Sequence, residues 1–171
     1  MSTKQTERPD ATARVIALLV EVMRREGITI NQLAERLGFA SGETIRHKLR
    51  GKFSNIRLSV LDEYFDGLGY RLAFWAEKKV GTGFVEPSIT LSPLEQAGEI
   101  ATRAIDAWKQ ARRANMQDVN DRMIAAGLGK QAANQLRHCG KDSGASIGQL
   151  ERVIGALDYT LHIYAVKEAD E

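Results

Sequence analysis

The residues best suited to chemistry form a basic block in the first third of the chain. Between positions 46 and 57 there are five basic side chains and no Asp or Glu. They are Arg46, Lys48, Arg50, Lys52 and Arg57. Such a local excess of positive charge is typical of a surface that binds phosphate groups, even in a protein that is nearly neutral overall. The alternative is a solvated helix face without a partner.

The charge of the whole chain is unevenly divided. The formal net charge is +2, but residues 1–80 carry 14 basic and 10 acidic side chains, whereas residues 81–171 carry 10 and 12. The first half is therefore at +4 and the second at −2. This division predicts that the first half binds a polyanion more tightly than the second.

No pattern of residues predicts catalysis or metal binding. The three histidines, His47, His138 and His162, are scattered and lack metal-ligand spacing. A glycine-rich phosphate loop, a nucleophile motif and a pair of catalytic carboxylates are all missing from the sequence. We therefore expect neither an enzyme nor a bound cofactor or metal ion.

Composition indicates a globular protein of the cytoplasm. Apolar residues make up 43% of the chain, and no apolar run approaches the roughly 20 residues that span a bilayer. The first 14 residues are polar and do not resemble a signal peptide. The single cysteine, Cys139, excludes an intrachain disulfide.

The two halves of the chain repeat each other. Six residues near the end of the first half recur identically 89 positions later. The pairs are Leu61/Leu150, Leu68/Leu157, Tyr70/Tyr159, Leu72/Leu161, Ala76/Ala165 and Lys78/Lys167. Earlier matches, such as Leu49 with Leu136, have offsets of 86 to 88. We interpret this pattern as the duplication of a small domain with minor differences in loop length.

Each copy is predicted to contain four helices followed by a strand. In the first copy, spanning residues 1–79, Gly27 ends the first helix, Thr29 to Gln32 opens the second and Ser41 caps the third. Ser59 opens the fourth helix, and the aromatic run from Tyr70 predicts a strand over 70–78.

The second copy is predicted to follow a linker at 80–91 and to span residues 92–171. Ser92, Pro93 and Glu95 predict the start of a long helix. Shorter helices follow at about 118–125, 130–138 and 147–157, and a strand at 159–167. The sequence thus predicts a mainly α protein made of two tandem domains, each ending in a short β-strand.

The stretch from Ile30 to Gly51 resembles the helix-turn-helix of the lambda-repressor-like (XRE-type) family. Leu33-Ala34, Leu37-Gly38, Thr44-Ile45 and Leu49-Arg50-Gly51 carry the resemblance, which the later Leu68-Gly69 strengthens. It covers about residues 11–79 and, more weakly, 99–167. It implies a sequence-specific double-stranded DNA-binding transcriptional regulator, a repressor or autoregulator. A protein-interaction module on the same fold, an antitoxin or inhibitor, is the alternative.

In the first copy the resemblance makes the third helix the recognition helix. Ile45 and Leu49 lie one turn apart and are expected to face inward, which leaves a polar face for the major groove. Arg46 and Arg50 are suited to guanine, and Glu43 to cytosine. The remaining members of the predicted DNA-binding set are Ser41, Gly42, Thr44, His47, Lys48, Lys52, Asn55 and Arg57. Among these, Lys48, Lys52, Asn55 and Arg57 would bind phosphates.

The second copy offers a different polar set on its third helix, with Ala132, Ala133 and Leu136 inward. The predicted DNA-binding residues are Lys130, Gln131, Asn134, Gln135, Arg137 and Lys141. Asn and Gln are suited to adenine. However, three acidic residues lie close by in sequence, and the preceding turn is one residue longer. Two interpretations stay open, a second DNA-binding face or a degenerate copy retained for dimerisation.

The two predicted strands are near-copies, and each needs a partner because its edge groups and apolar side chains cannot stay unpaired. We expect strands 70–78 and 159–167 to pair antiparallel within the chain, so that one polypeptide imitates a repressor dimer. The competing arrangement is a homodimer in which these strands pair between chains.

Overall fold

A computed structural model describes residues 10–50, 56–138 and 144–169. These ranges are mainly helical, with eight helices and one small antiparallel sheet. The helices are α1 (Ala11–Glu26), α2 (Ile30–Arg36), α3 (Glu43–Leu49), α4 (Leu58–Gly67), α5 (Pro93–Arg112), α6 (Met116–Ala125), α7 (Ala132–Arg137) and α8 (Ile147–Ala156). The strands are β1 (Tyr70–Lys78), β2 (Phe84–Val85) and β3 (Tyr159–Lys167).

Side-chain caps set several helix ends at the predicted positions. Thr29 and Gln32 form the predicted capping box of α2, with bonds of 3.2 and 2.8 Å. Ser92 caps α5, which has Pro93 in its first turn. Gly27 ends α1 in the left-handed conformation, with φ of 65°. These three predictions are confirmed because each depends on residues only a few positions apart.

Other helix starts differ from the predictions. The N-cap of α3 is Gly42 and not Ser41, although the Ser41 hydroxyl still accepts the Glu43 N–H at 3.4 Å. Helix α6 begins two residues earlier than predicted, because Asn115 and Asp118 form a capping box. Helix α7 is shorter than predicted at both ends, and α4 begins at Leu58 without a side-chain cap.

Strands β1 and β3 pair antiparallel within the chain over nine residues each. This is the pairing that their near-identity predicts. The central pair is Phe74 opposite Ile163, and these two residues occupy equivalent positions in the two copies. The register is therefore symmetric about this pair, as a twofold axis through it requires.

A second symmetric junction lies where α4 and α8 begin. Arg57 and Ser146, which are also equivalent in the repeat, form an antiparallel bridge. On either side of it, the Leu58 N–H donates to the Ala145 carbonyl (2.9 Å) and the Ile147 N–H donates to the Ile56 carbonyl (3.2 Å). The repeat exchanges these two hydrogen bonds with each other and exchanges Arg57 with Ser146. The bridge therefore lies on the same pseudo-twofold axis as the Phe74–Ile163 pair. The bridge also explains why α4 starts at Leu58.

The first helix of the chain packs on the second half. The Ala11 N–H donates to Glu151 Oε1 (2.8 Å), and Arg14 Nη1 lies 3.0 Å from Glu151 Oε2 on α8. Arg14 Nη2 also donates to the Leu161 carbonyl of β3 (2.9 Å). In return, α5 of the second half packs on α4 and β1 of the first. One continuous apolar core consequently spans both copies.

The linker predicted at 80–91 contains a short strand. After β1 the chain turns at Gly81 and Gly83, whose positive φ values of 84° and 149° suit glycine. Strand β2 then pairs with β1 through Phe84 and Val85. The sheet order is β2-β1-β3.

Where β2 ends, a buried glutamine occupies the edge of β1. The fully buried Gln96 of α5 accepts the Phe74 N–H through Oε1 (2.8 Å). Its Nε2 donates to the Leu72 and Leu91 carbonyls, at 3.2 and 2.9 Å. The amide therefore takes the place of a neighbouring strand and leaves no exposed edge here.

We expect Gln96→Leu to lower the free energy of unfolding by about 1–3 kcal/mol, because leucine keeps the volume but leaves the Phe74 N–H and the Leu72 carbonyl buried without the partner that Gln96 gives them. Gln110→Leu, at an exposed position of the same helix, is the control and should stay within about 0.5 kcal/mol. Urea denaturation followed by circular dichroism measures both. Equal effects of the two variants would contradict a structural role for the amide.

The sheet has one face on the core and one that is partly exposed. Phe74 and Leu72 face the core, whereas Trp75 stacks on His162 across the strands, with ring centroids 4.0 Å apart. Phe84 forms a T-shaped pair with Trp75 and is 66% exposed. No helix within the described ranges is long and apolar enough to cross a membrane.

Candidate nucleic-acid interface

A close approach of α2 and α3 fixes the orientation of α3. Helix α2 buries Leu33 and Ala34, and the chain then turns through Gly38 at φ of 76°. A Cβ on Gly42 would lie 2.8 Å from Asn31 Oδ1 and 2.9 Å from Ile30 Cγ2. The absence of a side chain at Gly42 thus permits the start of α3 to lie directly on α2.

The polar residues predicted on α3 lie on its outer side. Ile45 is fully buried and Leu49 is half-buried against the core, as their spacing predicts. Glu43, Thr44 and Arg50 are exposed. The others on this helix, Arg46, His47 and Lys48, are half-buried.

Arg46 is held in place by two neighbours. Its Nη1 donates to Glu43 Oε1 and its Nη2 donates to Asn31 Oδ1, both at 2.9 Å. Glu43 Oε2 also lies 4.0 Å from His47 Nε2. Each of these nitrogens uses one of its two N–H groups, so the contacts hold the guanidinium in place and leave further N–H groups that can donate to a base. Asn31 was not among the predicted site residues, since its contact with Arg46 appears only when the two helices cross.

Tyr64 of α4 supports the other side of α3. Its ring lies edge-on to Phe39, with centroids 6.4 Å apart, and Lys48 Nζ lies 6.0 Å from the ring centroid. Burial, with Glu63 nearby, raises the pKa of Tyr64 to about 12. The ring therefore provides a largely buried platform beneath the basic side chain.

Helices α6 and α7 present a second polar face. Ala132, Ala133 and Leu136 are buried, as predicted, and α7 packs on α5. Lys130, Gln131 and Gln135 are exposed, whereas Asn134 and Arg137 are half-buried.

Two of the three acidic residues close to this face in sequence, Asp118 and Asp121, belong to α6, and the third, Asp142, lies outside the described residues. Asp118 closes the capping box with Asn115, and Asp121 Oδ1 accepts from Gln117 Nε2 at 3.0 Å. Helix α7 itself contains no Asp or Glu. Fewer acidic side chains therefore lie beside Lys130 and Arg137 than the net charge of −2 on the second half suggests.

Arg57 lies between the two faces. It is exposed, it sits at the bridge on the pseudo-twofold axis, and its Nε lies near Gly144. Three further predicted site residues, Lys52, Asn55 and Lys141, lie outside the described residues. The fold thus relates α3 and α7 by the same axis on which Arg57 lies.

Comparisons with protein-family models, with curated proteins and with solved structures yield no match to this chain. The assignment of the interface consequently depends on the geometry of its own residues.

Proposed function

We propose that the chain is a sequence-specific double-stranded DNA-binding transcriptional regulator, built as two tandem lambda-repressor-like helix-turn-helix domains joined into an intrachain pseudo-dimer. Helices α3 and α7 are the recognition helices, and α2 and α6 support them. The observation that carries the proposal is the symmetric junction, which relates two equivalent helix pairs with polar outer faces.

The physical argument follows from the twofold symmetry of duplex DNA. A helix-turn-helix dimer inserts two recognition helices into successive major grooves, about 34 Å apart on one side of the duplex. Such helices need an apolar inner side and a polar outer side, and both α3 and α7 have them. In this proposal Arg57, at the bridge on the pseudo-twofold axis, contacts the phosphates of the central base pairs.

Regulation by occupying a site on the DNA is the simplest activity of such a protein, so we place repression or autoregulation first. The net charge of −2 on residues 81–171 favours the second candidate, a protein-interaction module of the antitoxin or inhibitor kind. Arg137 at the end of α7 and Lys130 just before this helix favour DNA instead, because they lie on the face that would meet the partner.

Salt dependence separates the two candidates. We expect the affinity of the full chain for mixed-sequence duplex DNA to fall about a thousandfold between 50 and 200 mM salt, since about six phosphate contacts release their counterions on binding. Fluorescence anisotropy with a labelled duplex measures it. The absence of binding at low salt, or an affinity that does not change with salt, would count against DNA as the partner.

A further inference from the structure

The junction between the two copies is symmetric, but the recognition faces are not. Leu49 and Leu136 are equivalent, and the same offset pairs Glu43 with Lys130, Arg46 with Ala133 and Arg50 with Arg137. Arg46 is half-buried in its contacts with Glu43 and Asn31, whereas Ala133 is fully buried. The bonds of Arg46 to Glu43 on α3 and to Asn31 on α2 therefore have no counterpart at α7.

The outer side chains also differ in what they recognise. The face of α3 carries Glu43, Arg46 and Arg50, whose groups match cytosine N4 and guanine O6 and N7. The face of α7 instead carries three amides, Gln131, Asn134 and Gln135, which match adenine N6 and N7. Only the arginine at the end of each helix, Arg50 or Arg137, is common to both faces.

In a homodimer, the twofold axis forces both half-sites to be identical, and the operator is a palindrome. In this chain the backbone at the junction follows the twofold symmetry, but the side chains on the two proposed recognition faces differ. One polypeptide also fixes the two faces relative to each other, because β1, β3 and the bridge at Arg57 join them.

We propose that the DNA target is non-palindromic, with two unlike half-sites about one helical turn apart that a single chain reads in a single orientation. Helix α3 lies on a half-site rich in G·C pairs and α7 on one rich in A·T pairs. This inference rests on the proposed function and specifies the class of DNA that the same interface takes.

Selection of bound duplexes from a random pool, with the full chain, tests the inference. We expect a consensus of two unlike half-sites. Duplexes in which either half-site is duplicated as a palindrome should bind the chain about tenfold or more weakly than the consensus, because several base pairs then mismatch one face. A palindromic consensus, or one with a single half-site, would overturn the inference and leave DNA binding intact.

Variants that exchange the faces identify which helix reads which half. In one variant, α7 receives four outer residues of α3 through Lys130→Glu, Gln131→Thr, Asn134→His and Gln135→Lys, while Ala133, the buried equivalent of Arg46, stays unchanged. The consensus should change only in its A·T-rich half. The reciprocal variant, with Glu43→Lys, Thr44→Gln, His47→Asn and Lys48→Gln, should change only the other half. A change in both halves, or in neither, contradicts the assignment.

The orientation of the chain on the duplex can be measured without altering the outer side chains of α3 or α7. A Cβ on Gly129, just before α7, meets no atom within 4 Å, so Gly129→Cys in a Cys139→Ser background provides a position for an iron-chelate cleavage reagent. We expect cleavage only at the A·T-rich half-site. Equal cleavage at both halves means binding in two orientations and overturns the inference. If no duplex is enriched and no salt-dependent binding occurs, the proposed function itself is wrong.

Discussion

Replacement of Phe74 by alanine lowers the free energy of unfolding by about 3–5 kcal/mol, a large part of the stability expected for a protein of this size. The ring is fully buried and lies at the centre of the β1–β3 pairing, opposite Ile163. Its removal leaves a cavity on the pseudo-twofold axis, where both halves contribute to the core. Urea denaturation followed by circular dichroism gives the change.

The same experiment shows whether the halves unfold together. Because α1 packs on β3 and α5 packs on β1, we expect one transition for the Phe74→Ala variant and for the unaltered chain. Phe84→Ala, at a 66% exposed position on the other face of the sheet, is the control and should cost less than about 1 kcal/mol. Two separate transitions, or equal costs for both variants, would show that strand pairing is not the organising contact.

Local signals in the sequence were sufficient for most of the secondary structure. The capping box at Thr29 and the Ser92-Pro93 start each depend on residues within one turn, so their outcome does not depend on the tertiary fold. The strands at 70–78 and 159–167 were predicted with their observed bounds. Their pairing also followed from the sequence, because two near-copies with apolar side chains are natural partners.

Long-range contacts could not be predicted in the same way. Strand β2 has only two residues, and its pairing depends on where the edge of β1 is left open. The bridge between Arg57 and Ser146 joins residues from different copies, and no local pattern marks it. The position of Gln96 on the edge of β1 likewise depends on how α5 crosses the sheet.

In the candidate interface, too, the local features were predictable from the sequence and the long-range contacts were not. Burial of Ile45 was predictable from helical spacing, and so was the outward position of Thr44 and Arg50. The bond between Arg46 and Asn31 was not, because it joins residues 15 positions apart. The two helices meet there because Gly42 has no side chain. The sequence therefore indicated which side of α3 faces outward, but not which of its side chains already have partners.

Reversal of charge at both Arg50 and Arg137 should nearly abolish DNA binding. These residues end the equivalent helices α3 and α7, and neither has an ion-pair partner among the described residues. We expect Arg50→Glu with Arg137→Glu to weaken affinity about a thousandfold at moderate salt, since each substitution removes an attractive contact and adds repulsion.

A control variant with the same change in net charge distinguishes local contacts from long-range attraction. Arg24→Glu with Lys79→Glu alters two exposed basic residues, one on α1 and one just after β1. We expect this variant to weaken binding less than tenfold at moderate salt, where distant charges are screened. The single charge reversals at Arg50 and Arg137 show which of the two faces contributes more to DNA affinity in the folded chain.

The charge division of the sequence predicts a larger loss of affinity at Arg50. We expect similar losses instead, because Glu43 compensates α3 whereas α7 has no acidic residue. If the double reversal weakens binding no more than the control, the DNA does not lie on α3 and α7.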